Sequence, residues 1–504
     1  MNKSIYYLIV LVLVCAGTSL KYANSHEAMP IGCDEFGYLN LAKTIDEGHA
    51  ENRLYLKELL TTLRVEGIQE QEFSWMITPH AYHIVPGTDL AINQYPPGTS
   101  YLLSLLPIES RNLFFPLLVM VILIVFPVLF SKIVFNPTWS YFDIIFPVFL
   151  FIVTVSAPFT TELSRVNSLA ATFGFLIAAG ITLRNQPLLA CFLIALTVNF
   201  RIVNILMVLP VLLFLPFSSK SEPRGRRYNF ILLVKFGSLI IVAALPLLIY
   251  NYTLLGNPLA TTYSVIDTAS NESGNFVHNL KYYISLEHHW LRMHLASILI
   301  LIIFCITDKL KWINFLKILL FPVINYFFFA WHTVTMDYYP YASAMIMFGM
   351  VLGVANEIRI PEKYCIVVPV TGILIAMIVL ISGLNRYRKK DHITFNQAKE
   401  KYSYLCKYDI VWCDLYSGTT EYVCGNNGFR FVSSTPRARK ITLNFLNKKR
   451  LSQVIILNDI PMTAPEIEKE IRTTGLKFVK VSDTTFGEML VLPANKSVES
   501  ISYP

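Results

Sequence analysis

The sequence is short of charge. Asp, Glu, Lys and Arg make up 15% of its 504 residues, against roughly 25% in soluble domains. Hydrophobic residues make up 54%, so a water-soluble chain would precipitate and a disordered one is excluded. Cysteine is sparse, with 8 residues spread along the chain, which excludes a small disulfide-held scaffold. There is no glycine-rich phosphate loop, no dinucleotide fingerprint and no Ser-His-Asp signature. No internal repeat or low-complexity tract is visible, which argues mildly against a transporter built from repeats. What remains is an α-helical polytopic membrane protein. The net charge of +8 is then read as basic cytoplasmic loops, not as a nucleic-acid interface.

Apolar runs of about 17–25 residues are read as spanning helices. About eleven spans are predicted on that rule: Ile5–Leu20, Leu113–Phe135, Tyr141–Ala157, Val166–Leu183, Pro187–Asn199, Ile202–Phe217, Phe230–Tyr250, His294–Thr307, Ile313–Trp331, Tyr339–Val354 and Cys365–Leu384. The first resembles a signal peptide, with Lys3 ahead of it and Ala16, Gly17 and Ser19 near its end. It is read as a retained anchor, because the odd number of spans gives a consistent topology. Lys132, Arg184, Lys220, Arg224, Arg226, Arg227, Lys309, Lys311, Arg359 and Lys363 fall in loops on one side. The loops Pro158–Ser164 and His332–Tyr338 carry no Lys or Arg. The positive-inside rule then puts three larger pieces outside: Lys21–Ser110, Asn251–Arg292 and the tail from Asn385.

Two domains follow. Residues 1–384 form the membrane domain, whose first outer loop, 21–110, carries the chemistry, and 385–504 form a small extracytoplasmic α/β domain. In the tail, Val454–Leu457, Phe478–Val481 and Met489–Leu492 read as strands and Pro465–Thr474 as a helix. An oxidising compartment permits a disulfide there. Cys413–Cys424 is the expected pair, because Ser417-Gly418 and Asn426-Asn427-Gly428 nearby are turn formers.

The unusual residues gather on the outer side. His80, His83, His278, His288, His289 and His332 all fall there. The first loop opens with Gly32-Cys33-Asp34-Glu35-Phe36-Gly37-Tyr38. Asp34 stands where a helix would start. One reading makes it an N-cap, with Glu35 at the positive helix end. The other makes it a general base at the membrane surface. Adjacent carboxylates point in different directions, so at most one reaches a substrate. The loop closes with Asn93-Gln94-Tyr95-Pro96-Pro97-Gly98. Read alone, that is a surface turn before an interfacial helix.

Taken together, Asp34-Glu35-x-x-Tyr38-x-x-x-Ala42 after the first span and Tyr95-Pro96-Pro97 before the second resemble the GT-C glycosyltransferases. The pattern is most similar to the branch of protein O-mannosyltransferases and the lipid A aminoarabinose transferase. Tyr250-Asn251 with Gly256-Asn257-Pro258, and Tyr338-Tyr339-Pro340, resemble later family motifs. The resemblance covers about residues 1–384 and leaves the tail uncovered.

The resemblance implies an enzyme that moves a sugar from a polyprenyl-phosphate donor to a lipid, protein or polysaccharide acceptor on the extracytoplasmic face. The leading Asp of the pair, here Asp34, is the implied base, with Glu35 beside it. The departing lipid phosphate needs cations or donors around it. Candidates are Tyr38, Tyr95, Arg165, Arg201, Lys281, Arg292, Tyr338 and Tyr339. Each has a plain alternative. Arg165 can pair with Glu162, Arg201 can snorkel, Arg292 can anchor at the interface, Lys281 can sit on a solvated loop, and the tyrosines can belong to the interfacial belt. Relatives often carry Lys at or next to the residue before the Pro-Pro pair, where this chain has Gln94 and Tyr95. No cofactor and no metal site are expected. The His80/His83 and His288/His289 pairs lack further ligands of suitable spacing, and a divalent cation on Asp34 or Glu35 is the lesser alternative. The expected location is a bacterial inner membrane. Rival functions are a transporter or flippase of lipid-linked sugars, using Asp143 and Lys235 in the spans, a polymerase or ligase of O-antigen with a diphosphate donor, and a non-catalytic scaffold.

Overall fold

Every apolar stretch read from the sequence carries a helix. The computed structural model describes residues 2–22, 30, 32–49, 51–53, 56–155, 166–217, 225–262, 275–332, 335–388, 395–425 and 427–492. Among the described residues, five helices are long and apolar enough to cross a membrane: Lys3–Tyr22, Arg227–Leu255, His289–Ile306, Trp312–Ala330 and Glu362–Arg388. Six shorter apolar helices accompany them: Phe114–Phe130, Phe142–Val155, Ser168–Thr182, Pro187–Asn199, Ile202–Phe214 and Tyr341–Glu357. Ile202–Phe214 is wound as a 3-10 helix. A 3-10 helix rises about 2.0 Å per residue against 1.5 Å in an α-helix, so this winding lengthens a short segment. Leu233, Val234, Ile241 and Val242 of the long helix, and Val370, Leu374 and Ile381 of the last, are exposed. Such unpartnered apolar faces suit a lipid surround.

The first helix, α1 (Lys3–Tyr22), is built into the bundle. It packs along Val367–Arg388. A Cβ at Gly17 would lie 2.7 Å from the Val379 carbonyl carbon, and one at Gly383 would lie 2.1 Å from the Gly17 carbonyl oxygen. Small residues let the two backbones touch. At the other end of α1, Lys3 Nζ donates to Asp143 Oδ2 at 3.0 Å. Tyr7 donates to Asp143 Oδ1 at 2.7 Å, and the Ser140 amide donates to Oδ2 at 2.6 Å. Asp143 is therefore fully engaged, and Lys235 lies on an exposed face of its helix. Neither marks a polar path through the bundle.

Outside the bundle, residues 32–110 and 395–492 meet. Strands β1 (Glu51–Arg53), β2 (Tyr82–Ile84) and β3 (Leu90–Asn93) form an antiparallel sheet in the order β1-β3-β2. Strands β4 (Ile410–Cys413), β5 (Asn427–Arg430), β6 (Gln453–Ile456), β7 (Val479–Asp483) and β8 (Gly487–Leu492) form a second sheet in the order β5-β4-β6-β8-β7. β4 runs parallel to both its neighbours, and the last two strands are an antiparallel hairpin. One apolar core joins the two pieces: Leu59, Leu63, Phe73 and Met76 of the first pack with Trp412, Phe429, Phe431 and Leu446 of the second. The Arg430 amide donates to the Met76 carbonyl at 2.8 Å. Helix Ser417–Cys424 lies on α2 (Gly32–Asp46), so closely that a Cβ at Gly418 would lie 2.3 Å from the Phe36 ring.

Two expectations are corrected. The disulfide is Cys406–Cys424, and Cys413 is free. Cys413 ends strand β4 with its side chain sealed in the core, whereas Cys406 and Cys424 end two neighbouring helical turns. Asp34 is not an N-cap, because α2 begins two residues earlier at Gly32. Arg165, its proposed partner Glu162, the loop Pro158–Ser164, and Lys220 and Arg224 lie outside the described residues.

Gly383→Leu is expected to cost about 1–3 kcal/mol by overpacking and to lower the melting temperature in detergent. Gly237→Leu, where nothing lies within 4 Å of the added carbon, is expected not to lower it. Glu421, on the helix against α2, gives a second test. Burial pushes its carboxyl up to about 8, with the Lys43 charge opposing. Between pH 4.5 and pH 8 the folded chain holds a proton that the unfolded chain releases. Stability from this group is therefore present at low pH and lost as pH rises through that window. Melting temperatures at a fixed scan rate should fall less steeply from pH 5 to 8 in Glu421→Gln than in the wild type.

Candidate active site

Asp34 lies in the first turn of α2, half-buried, while Glu35 points into the core and is buried. One carboxylate of the adjacent pair is thus presented and the other is not. Tyr95 donates its hydroxyl to Asp34 Oδ1. That hydroxyl also sits 3.2 Å from Cys33 Sγ. The Pro-Pro turn is held by Asn93, whose Nδ2 donates to the Gly37 carbonyl at 2.6 Å and whose Oδ1 accepts from the Tyr95 amide at 2.8 Å. The Tyr95 ring lies 4.8 Å from that of Tyr38. It fits only because residue 37 is glycine: a Cβ there would come within 2.9 Å of the ring and 2.7 Å of Ala81 Cβ. Gln94 reaches the same thiol and bridges it to His83. Its Oε1 accepts from His83 Nε2 at 2.7 Å, and its Nε2 lies 3.4 Å from Cys33 Sγ.

The same turn docks onto the membrane helices. A Cβ at Gly98 would lie 2.6 Å from the Asn199 carbonyl oxygen, two residues before Arg201. Asn199 itself is inserted into the helix Gly225–Leu255, which carries Pro246. Proline opens the helical ladder, and the Asn199 side chain bridges the opened turn. Its Nδ2 donates to the Ala243 carbonyl at 2.7 Å and its Oδ1 accepts from the Leu247 amide at 2.9 Å. This clamp fixes the chain at Arg201, an extended residue between two 3-10 segments.

Arg201 is the cation of the site. Its Nε donates to Ser168 Oγ at 3.1 Å, and its guanidinium lies 5.1 Å from the centre of the Tyr338 ring. Asp34, Tyr38 and Tyr341 are within electrostatic reach of it. Tyr339 lies within reach of both Arg201 and Asp34. Its ring stacks on Phe329 at 4.4 Å and meets His332 at 5.5 Å. His332 also lines a largely apolar cavity of about 550 Å³, with Leu206, Val323, Ile324, Phe327, Phe328 and Trp331. This cavity neighbours Tyr339 through the shared contact with His332.

Asp34, Tyr38, Tyr95, Arg201, Tyr338 and Tyr339 are brought together. Arg292 and Lys281 are not. The Arg292 guanidinium donates to the Glu287 carbonyl at 3.2 Å, and Lys281 is exposed on the helix Phe276–Tyr283. The paired histidines make different contacts. His80 Nε2 lies 3.6 Å from Asp414 Oδ1, while His83 packs against Trp75 at 4.7 Å. His289 packs against Trp290, with ring centres 4.6 Å apart. Among the described residues, no three His, Cys, Asp or Glu side chains gather as a ligand set. Sequence reasoning missed Ser168 and the Asn199 clamp. For Asn199 a signal existed, since an amide beside a proline-bearing apolar helix is a ready partner for its broken turn.

No protein-family model matches the chain, and no curated protein sequence matches it. Its fold is nevertheless shared. The crystal structure of ArnT from Cupriavidus metallidurans bound to undecaprenyl phosphate superposes with a TM-score of 0.54, at 10% identity, over 99% of each chain. The apo structure of the same protein gives 0.53, at 8% identity, over 97% of each chain. At such identities the likeness establishes a common fold along the whole chain.

Cys33 reports on the site. Burial pushes its thiol up to about 11, helped by the Asp34 charge and opposed by Tyr95 and Arg430. Site-resolved alkylation of the folded protein is expected to leave Cys33 almost unmodified at pH 8 and to reach it only as pH approaches 11. Alkylation at pH 8 as fast as in the unfolded chain would contradict this geometry.

Proposed function

We propose that the chain is an integral-membrane glycosyltransferase that takes a sugar from a polyprenyl-phosphate donor. The observation that carries this reading is the pairing of one presented carboxylate, Asp34, with Arg201 and two tyrosines, of which Tyr339 meets His332 in the wall of an apolar cavity. The fold adds support, because it is that of ArnT, a lipid A aminoarabinose transferase of the GT-C type, which has been seen with undecaprenyl phosphate bound.

In this reading the polyprenyl chain lies along the cavity between Leu206 and His332. Its phosphate rests against Arg201, with the Tyr338 and Tyr339 hydroxyls at hand. Asp34 removes the proton from the acceptor's hydroxyl or other nucleophile. The acceptor then forms its bond to the anomeric carbon as the bond from that carbon to the phosphate oxygen breaks, with inversion. The leaving polyprenyl phosphate gains negative charge, which Arg201 and the tyrosines stabilise. Tyr95 holds Asp34 in position instead of meeting the phosphate. A monophosphate leaving group can be neutralised by such residues, so transfer should persist in chelator. The reaction would occur on the extracytoplasmic side of a bacterial inner membrane, the side to which the positive-inside rule assigns the loop 21–110 and the tail.

The test is a donor-turnover assay on purified protein with radiolabelled sugars on polyprenyl phosphate, run in EDTA. Asp34→Asn should lower turnover by about 10²–10⁴-fold, the usual contribution of a general base, while polyprenyl phosphate still binds. Arg201→Gln should weaken that binding by about tenfold or more, as expected for a lost charge-assisted contact. Full turnover in Asp34→Asn would remove it as base. A wild type that turns over no donor would overturn the transferase reading.

A further inference from the structure

Three segments of the bundle meet at Arg201, and each carries a second polar residue one turn further along. Arg201 is followed by Asn204, whose amide donates to the Arg201 carbonyl at 3.1 Å. Tyr338 is followed by Tyr341, whose amide donates to the Tyr338 carbonyl at 3.1 Å. Ser168 is followed on the helix Ser168–Thr182 by Thr172. The first residue of each pair belongs to the guanidinium: Ser168 accepts from it and the Tyr338 ring lies against it. The second residues meet at the Tyr341 hydroxyl. Asn204 Nδ2 donates to that hydroxyl at 2.8 Å, Asn204 Oδ1 lies 3.1 Å from it, and Thr172 Oγ lies 3.3 Å from it. Asn204 Nδ2 gives its other hydrogen to Thr197 Oγ at 3.1 Å.

This second layer is sealed from solvent. Thr172, Thr197, Asn204 and Tyr341 are all buried. The Tyr341 ring is fixed by packing, with its centre 6.0 Å from that of Phe173 and 6.1 Å from that of Trp290. Polar groups are costly inside an apolar bundle unless they bond to one another. Apolar side chains of similar volume would join these helices without that cost. What a satisfied polar cluster adds is a single arrangement, because sliding one helix past another breaks its bonds. Here the three helices that it joins are the three that present Ser168, Arg201 and Tyr338.

We propose that Tyr341 is a positioning residue for the donor phosphate, and that its hydroxyl, joined to Asn204 and Thr172, locks the segments that aim Arg201 at that phosphate. This role rests on the transferase reading, which puts the phosphate against Arg201. Tyr341 itself touches no substrate and acts through the guanidinium. A charge-assisted contact between a planar guanidinium and a phosphate oxygen tolerates little displacement. If the 3-10 helix Ile202–Phe214 shifted along the helix Tyr341–Glu357, Arg201 would be carried away from both Ser168 and the Tyr338 ring.

The test uses full-length protein in detergent. It measures binding of radiolabelled polyprenyl phosphate, with the melting temperature of each variant taken alongside. Tyr341→Phe keeps the ring and removes the hydroxyl. It should weaken binding by about fivefold or more, the worth of one buried hydrogen bond. Added to Arg201→Gln, the same change should alter binding by less than about twofold, because the group it acts through is already gone. A general loss of packing would instead add to the Arg201→Gln effect. Tyr341→Phe also strips Asn204 of a buried partner and should lower the melting temperature. Combining it with Asn204→Leu removes both partners, so the melting temperature should recover while binding stays weak. Wild-type binding in Tyr341→Phe, a loss that adds in full to that of Arg201→Gln, or binding that recovers together with the melting temperature would each overturn the positioning role. If Arg201→Gln binds as tightly as the wild type, the donor reading falls and the role of Tyr341 falls with it. If binding behaves as expected but no polyprenyl-phosphate sugar is turned over, the transferase reading fails and the positioning role stands.

Discussion

The apolar core shared by the first loop and the tail is the constraint on which the site depends. Leu59, Leu63, Phe73 and Met76 cannot bury themselves within a loop that holds only short helices and a three-stranded sheet. They do so against Trp412, Phe429, Phe431 and Leu446. Neither piece closes a core alone, so the tail is structurally part of the loop. This docking also sets the start of α2. The amide of Gly32 donates to the Leu415 carbonyl at 3.3 Å, and Thr419 donates to the Pro30 carbonyl. Asp34 follows two residues after that anchor.

The polar groups around Asp34 come from three separate parts of the chain, and each is held by a backbone feature of its own. A glycine at 37 admits the Tyr95 ring. A glycine at 98 admits the Asn199 carbonyl. A proline at 246 opens the turn that Asn199 fills. Each is a close approach or a broken ladder, and each would be lost to an ordinary side chain. The rigidity of the site follows from such contacts between backbones, because these leave few alternative packings.

Much of this was legible in the sequence, and for identifiable reasons. Apolar runs are long-wavelength signals, so every helix of the bundle could be placed. In the tail, the expected strands Val454–Leu457 and Met489–Leu492 lie within a residue of Gln453–Ile456 and within the end of Gly487–Leu492. Helix Pro465–Thr474 overlaps Ala464–Arg472, where Thr463 and Glu466 form a capping box. Strand β4 went unseen, since four residues buried on both faces show no alternation, and so did the short β5 beside it. Asp34 and Tyr95 stood out through their order along the chain, and Arg201 through the cost of charge at a span end. The cysteine pairing failed because turn formers report local bends, whereas Cys406 and Cys424 meet through the packing of two helical turns.

The packing of α1 along Val367–Arg388 has a consequence for the order of assembly. The first helix made is the neighbour of the last, and Thr419 bonds to Pro30 across 389 residues of chain. Contacts of such separation form late, because the intervening chain must be in place before they can be made. During synthesis, α1 and α2 therefore wait, in the membrane and at its surface, for partners not yet translated. A chain that stops before Val367 lacks the partner of α1, and one that stops before Leu415 lacks the anchor ahead of Asp34. The arrangement around Asp34 is thus completed only once the chain has been made beyond Thr419.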